Sequence, residues 1–336
     1  MGFLYDLAKQ YKTVSIVGMA KNAGKTTALN YFIEESMDEG LRLGITSTGR
    51  DGESTDLVTS TEKPRVFLET DTIVSVPTEL YDLAEAGLEI LRMTKYPTAL
   101  GDLMLCRVAD SGYVQIAGPL TVQAHKEMCK DMFELGAELV IIDGAIDRKS
   151  IAAPETSDAI ILSTGATISR SMKVVAEETA HIVNLYRLPI LENEEVRQQL
   201  RDCDSGICLV KKGEVVELNL KTGLSASRHI DSAIDDDTEF IYVPGALTDS
   251  VIADISPAKL KRVPLVLKDP TKIFISSINW GRLCKRGLQP FVLDNIKVAA
   301  VTVNPYAPQG YVFDHKALLE TVQEAIPDVP VIDVKL

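Results

Sequence analysis

No apolar run in the chain approaches the ~18 residues that a membrane-spanning helix requires, so no transmembrane segment is expected. The opening MGFLYDLAKQYK carries acidic and basic residues in its first turns, which argues against a secretory signal peptide. Position six is not Ser or Thr, and the myristoylation pattern fails with it. Cysteine is scarce. Cys106, Cys129, Cys203, Cys208 and Cys284 are odd in number and form no C-x-x-C pair, which points to reduced, mostly buried thiols in a cytoplasmic protein. The four histidines (His125, His181, His229, His315) lack metal-ligand spacing. Positive charge is in deficit: 35 basic against 48 acidic residues give a net charge of −13 and a pI near 4.9. That balance argues against nucleic acid and anionic membrane as partners and leaves small molecules and proteins. Repeats and low-complexity segments are absent too.

What is present is length and alternation. The 336 residues suffice for about two domains. Strand-like apolar runs alternate with helical periodicity, which predicts an α/β protein with a parallel sheet. Val14 to Val17 reads as the first strand. Leu29, Phe32, Ile33 and Met37 then recur at helical spacing up to Gly40, where a C-terminal cap belongs, and LGITST follows as a strand. Residues 51–110 read as a β-rich insertion with hairpins: RVFLE, TIVSV, LEILRMT and DLMLCRV around one helical piece, TELYDLAEAG. Regularity returns with YVQIAGP, a helix bearing Val122, His125, Cys129, Met132 and Phe133, the strands LVIID and AIILST, and a helix from about Ser169 to Tyr186. Leu188-Pro189 is the expected end of this first domain, 1–188. The remainder, 189–336, reads as a smaller α/β domain. It has a hairpin about Lys212-Gly213, the strands EFIYVP, PLVLK, KIFIS and KVAAVTV, a helix near Lys316 to Ala325 and a last strand PVIDV. The lone Trp280 takes a core or interface place there.

The chemistry concentrates in VSIVGMAKNAGKTT, Val14 to Thr27. A strand, a glycine loop and a helix that starts inside the loop aim backbone N–H groups at an anion, and the helix dipole adds to the attraction. In such a phosphate loop Lys25 reaches the β- and γ-phosphates as a binding and catalytic group, and the Thr26 hydroxyl ligates Mg²⁺. Lys21, Asn22, Ala23, Gly24 and Thr27 complete the cradle. Five residues separate Gly18 from Gly24, where the common pattern has four.

A second motif supports the first. ELVIIDGA ends four apolar residues in Asp143-Gly144, so it presents a carboxylate where a Walker B strand holds its Mg²⁺ ligand. Asp51 and Glu53, in GRDGES, follow the second strand where a switch segment meets a γ-phosphate. One of them would orient water for hydrolysis; a hydrophilic turn accounts for them equally. Lys21 also reads two ways: reaching a partner copy's phosphates in a homodimer, or adding positive potential from solvent. The Asn-Lys-x-Asp signature of guanine readers is missing, which favours ATP.

The longer loop resembles one known group. GMAKNAGKT is similar to the G-x-x-x-x-x-G-K-T loop of the dethiobiotin synthetase-like P-loop ATPases, and STGRDGESTDLV, LVIIDGA and IILSTGATISRSM resemble further segments of that family. The similarity covers roughly the first 186 residues without the insertion. It implies an ATP and Mg²⁺ site in which Asp56 joins Thr26 and Asp143 as a metal ligand, Asp143 replacing the family's Glu. VNPYAPQG resembles the family's adenine-reading loop, which implies that Asn304 contacts the base and that the last strands return to the first sheet. A steric Asn-Pro turn is the alternative. The family's Lys-Pro after the second strand is Gly44-Ile45 here, and the Gly-Gly closing its Walker B motif is Ile146-Asp147. The resemblance therefore carries over the nucleotide site and not the substrate chemistry.

Across its whole length the chain resembles the P-loop subunit of lysine 5,6-aminomutase reactivases. The segments are GMAKNAGKTT, GITSTGRDGESTDLV, VQIAGP, VIIDGAIDR and the closing run from LKDPTKIFIS through VTVNPYAPQG to PVIDV. That resemblance implies an ATPase that works with a MutS-like ATPase subunit on an adenosylcobalamin- and pyridoxal-phosphate-dependent lysine 5,6-aminomutase of lysine fermentation. Its work would be to exchange damaged for intact adenosylcobalamin by shifting between two conformations. The Asp-x-His-x-x-Gly pattern that ligates cobalamin is absent, in keeping with a helper of the mutase. Two other classes compete. An ATP-dependent ligase or kinase activating a small carboxylate would need a basic substrate pocket beside Lys25. A metal- or cofactor-insertion chaperone would carry clustered His and Cys.

Overall fold

The computed structural model describes residues 2–48, 66–144, 157–203, 206–218 and 226–335. They fall into two compact units, Met1–Ala180 with Lys297–Leu336, and His181–Ile296. The division runs through a helix upstream of Leu188-Pro189, and the chain from Lys297 onward belongs with its beginning.

The first unit opens with α1 (Phe3–Gln10), β1 (Thr13–Gly18), α2 (Lys25–Glu39) and β2 (Leu43–Ser47). β1 and β2 are buried almost throughout, as strands covered on both faces must be. α2 buries Ala28, Leu29, Phe32, Ile33 and Ser36 in one stripe. It stops at Gly40, whose φ of 64° lets its own N–H and that of Leu41 turn back to the carbonyls of Met37 and Ser36. Next come β3 (Val66–Leu68), β4 (Ile73–Pro77), β5 (Gly87–Thr98), β6 (Gly101–Asp110) and β7 (Gly112–Val114). Then follow α3 (Val122–Glu134), β8 (Leu139–Asp143), β9 (Ala159–Gly165) and α4 (Met172–Tyr186), which leads out of the unit.

The second unit holds α5 (Glu194–Arg201), β10 (Ile207–Lys211), β11 (Glu214–Leu218), α6 (Ala226–Ala233), β12 (Thr238–Val243), α7 (Asp249–Ile252), α8 (Pro257–Arg262), β13 (Leu265–Leu267), α9 (Ser277–Lys285) and β14 (Pro290–Val292). Among the described residues its sheet has the order β11-β10-β12-β13-β14, with β12, β13 and β14 parallel. The hairpin turns at Lys212 and Gly213, both at positive φ. Trp280 packs into the core with Leu209, Ile241, Leu265 and Leu267. KIFIS is no strand: Ile273 makes one isolated bridge to Leu247.

The chain then re-enters the first unit as β15 (Val298–Asn304), α10 (His315–Ala325) and β16 (Val331–Asp333). Among the described residues the large sheet has nine strands, β16-β15-β9-β1-β8-β2-β4-β6-β5. Every pair from β16 to β4 is parallel, and β6 and β5 run antiparallel. The protein is an α/β fold on a mixed, mostly parallel sheet. Ile16, Leu29, Phe32, Ile45, Ile141 and Ile161 share one core cluster. Met128 and Met132 of α3, with Val140, Ile142, Leu103 and Leu105, make another. No helix among the described residues is long and apolar enough to cross a membrane.

The described part of the expected insertion is different from a set of appended hairpins. β4 pairs with β2 inside the main sheet, Gly44 beside Ile73 and Ile45 beside Val74, and β6 and β5 extend that sheet. TELYDL is a 3₁₀ turn over Thr78–Leu83. Only the start of YVQIAGP is strand, and it pairs with β3 in a separate ribbon. The rest lies across the main sheet's edge, where a Cβ on Gly118 would sit 1.6 Å from the Ser47 carbonyl oxygen. Pro119 has no N–H to offer a ladder.

Candidate functional site

The loop between β1 and α2 is built from backbone. Met19 N–H donates to the Ser163 carbonyl of β9 (2.9 Å), and Ala23 N–H closes a turn onto Ala20 (3.3 Å). Asn22 holds a φ of 63° and Gly24 a φ of 100°, so the chain reverses through two left-handed residues before α2 begins at Lys25. Gly24 is needed twice. Its φ suits glycine, and a Cβ there would lie 2.9 Å from Asn304 Cβ. No side chain caps α2, so its first-turn N–H groups carry the helix's positive end toward the loop. Thr26 and Thr27 are half-buried in that turn, Ala23 is buried, and Lys21 and Asn22 are exposed.

On one side of the loop stands β8. Asp143 pairs with Ile16 and ends its strand. Its carbonyl accepts the Thr48 N–H (3.0 Å) and the hydroxyls of Ser47 and Thr48 (3.3 Å each). Lys25 Nζ donates to the Gly144 carbonyl, so the loop lysine already points to the β8 end. On the other side lie β9 and then β15. Thr167 Oγ1 donates to the Lys21 carbonyl (3.0 Å), and Asn304 Nδ2 donates to the Asn22 carbonyl (3.3 Å). Asn304 Oδ1 accepts the Tyr306 N–H (3.1 Å), an Asx turn, so the turn and the loop contact coexist.

The expected residues divide accordingly. Lys21, Asn22, Ala23, Gly24, Lys25, Thr26 and Thr27 share one loop and first helical turn, with Asp143 on the next strand and Asn304 against the loop's far wall. Asp51, Glu53 and Asp56 lie outside the described residues. Among the described residues no group of three or more His, Cys, Asp or Glu could hold a metal ion. A hydroxyl and a lone carboxylate are oxygen donors of the kind Mg²⁺ accepts when phosphates and waters supply the rest. Thr167, Gly165 and Tyr311 were not nominated from the sequence. GATISR, after an apolar strand, was the available signal.

Other reactive groups are elsewhere. Burial pushes the Cys106 thiol up to about 11 and Cys129 and Cys208 up to about 12, which makes them poor nucleophiles. His125 of α3 is buried, and neither ring nitrogen makes a well-formed hydrogen bond. Burial lowers its pKa to about 4, the Pro119 backbone pulling weakly the other way. The chain matches no protein-family model, curated protein or solved structure in the three comparisons.

Proposed function

We propose that the chain is a Mg-ATP-binding P-loop ATPase that serves as a subunit of a reactivase, exchanging damaged for intact adenosylcobalamin in a lysine 5,6-aminomutase. The observation that carries the nucleotide part is the order of groups along one sheet edge. Asp143 and the carbonyl that receives Lys25 lie at β8, the amide-lined loop at β1, and Asn304 at β15. A nucleotide laid along that edge has its terminal phosphate at β8 and its base at β15. The reactivase part rests on the sequence resemblance.

In this reading Lys25 Nζ exchanges the Gly144 carbonyl for a phosphate oxygen. The exchange trades a neutral acceptor for a charged one and so favours the loaded state. Thr26 and Asp143 would hold the metal, with Asp56 as the third candidate. Bound Mg²⁺ supplies charge neutralisation between the outer phosphates. Asp51 or Glu53 would orient water. The Asn304 amide, already fixed at both ends, would meet the base without further ordering. Asp143 and Thr48 are joined through the Asp143 carbonyl, so a change at the phosphate end would be felt at the end of β2. Two conformations of the chain would favour different states of the mutase complex.

The test incubates inactivated mutase with this chain, the MutS-like subunit, Mg-ATP and fresh adenosylcobalamin. Recovered activity is expected, and Lys25→Ala is expected to reduce ATP turnover by roughly 10²-fold or more and to abolish recovery. Recovery that ignores the substitution removes the proposal. ATP consumption that requires a small carboxylic acid would replace it with the ligase reading.

A further inference from the structure

Beyond Asn304, the base end of this edge carries a group to which no motif assigns a role. Tyr311, in the loop after β15, donates its hydroxyl to the Ala166 carbonyl of the loop after β9. Arg170, four residues past Ala166, lays its guanidinium over the Tyr311 ring at 5.3 Å from the centroid. Phe313 supports the same ring from the side at 5.7 Å. The two loops are anchored to the loop after β1 through Thr167 on Lys21 and Asn304 on Asn22. Three loops from adjacent parallel strands are therefore cross-tied by four side chains. Arg170 is the exposed member of that set, with its guanidinium over an aromatic ring.

We infer that Arg170, oriented by Tyr311, is the stacking platform for the purine base of the nucleotide, a specificity-determining role that rests on the nucleotide reading above. Three physical points lead there. A guanidinium is planar and weakly hydrated, and it stacks on π-faces on both sides. Adjacent strands are ~4.8 Å apart, so β15 lies roughly 10 Å from β1, within reach of a ribose and base whose phosphates occupy the first loop. Finally, the Asn304 amide cannot flip. Its Nδ2 is held by the Asn22 carbonyl and its Oδ1 by the Tyr306 N–H, which leaves one N–H and one lone pair in fixed places. Such an amide pairs with the amino donor and ring-nitrogen acceptor of adenine, whereas guanine offers two acceptors on the same edge. Platform and amide together select a purine with an exocyclic amine.

Calorimetry on the full chain with Mg²⁺ separates the platform from the phosphate loop, using ATP and inorganic tripolyphosphate as ligands. Arg170→Ala is expected to weaken ATP binding about tenfold and to leave tripolyphosphate unchanged, since base stacking is worth ~1–3 kcal/mol and the loop is untouched. Arg170→Lys, which keeps the charge and loses the plane, is expected to weaken ATP by nearly as much. Tyr311→Phe, which keeps the ring and loses the anchor, should fall between. ATP binding that ignores Arg170→Ala while tripolyphosphate binds normally overturns this inference alone. An equal loss for both ligands also overturns it. Failure of tripolyphosphate to bind the unaltered chain takes the phosphate-loop reading down first, and this inference with it.

Discussion

The large sheet has two regions with different rules. From β16 to β4 every neighbour is parallel, so each strand ends at the same edge and its connection starts there. At β6 and β5 the direction alternates, and the chain returns through a tight turn at Ala99 and Leu100. In the parallel region the loops after β1, β9 and β15 meet and tie to one another by side chain to backbone. In the antiparallel region the ties are peripheral. Arg92 of β5 pairs with Asp131 (2.6 Å) and Glu134 (3.1 Å) on α3, at the surface. Pro97, with no N–H to donate, is tolerated in β5 because that strand is at the edge. Strand direction alone explains why one region gathers polar groups at a point and the other spreads them along a ribbon.

The sharpest way to break this comparison is to add one methyl group in each region. A Cβ on Gly165 would lie 2.1 Å from the Asn304 carbonyl oxygen, which is backbone and cannot swing away. Gly165→Ala is expected to cost about 3 kcal/mol and to weaken the proposed ATP binding by shifting Asn304, read by urea unfolding and calorimetry. A Cβ on Gly101 would meet only the Thr78 hydroxyl, at 2.0 Å, which can rotate, although the φ of 86° still disfavours alanine. Gly101→Ala is expected to cost nearer ~1 kcal/mol and to leave binding alone. Equal losses in the two variants would erase the distinction.

His125 of α3 tests the covering layer common to both regions, because its helix packs on Val140 and Ile142 of β8 and on Leu103 and Leu105 of β6. The imidazole titrates near 6.5 when unfolded and at about 4 when folded. The unfolded chain therefore binds more protons between those values, and stability is lost as pH falls from about 6.5 to 4. The loss amounts to about 3 kcal/mol. His125→Leu is expected to remove that part of the acid limb, measured as the difference between denaturant midpoints at pH 7 and pH 4.5. An unchanged limb would show that other groups carry it. The smallest effect belongs to the ribbon's own tie. Arg92→Ala should leave the thermal midpoint and the proposed ATP binding almost unmoved, as ion pairs at the surface generally do.

The parts of the fold legible in the sequence are those whose burial is uniform. β8 announces itself as an apolar run, and β1 and β9 as apolar runs interrupted only by small hydroxyl residues, because both faces are covered. Gly40 and Lys212-Gly213 mark turns because left-handed backbone leaves few residue choices. Reading failed where sequence separation mattered. Nothing local in Ile73 to Pro77 says that it will join β2, and nothing in TELYDL separates a 3₁₀ turn from a helix. KIFIS alternates as a strand does, with Ile273 and Ile275 buried, but it meets Leu247 for only one bridge. At the site, the gathering of the loop residues and Asp143 at one sheet edge was legible because a glycine turn and an apolar strand mark them locally. Arg170 and Tyr311 were not, since their partnership joins loops 141 positions apart.

The strand order also sets a timetable. β9 is wholly buried, and one of its two neighbours is β15, which is about 140 residues later in the chain. At a synthesis rate of ~5–20 residues per second, the unpaired backbone edge of β9 waits on the order of ten seconds for its mate. During that interval it is a ready template for a strand of another nascent chain. Truncated forms ending before Val298 are accordingly expected to collect in insoluble material, and a ribosome slowed within 181–296 would lengthen the hazard.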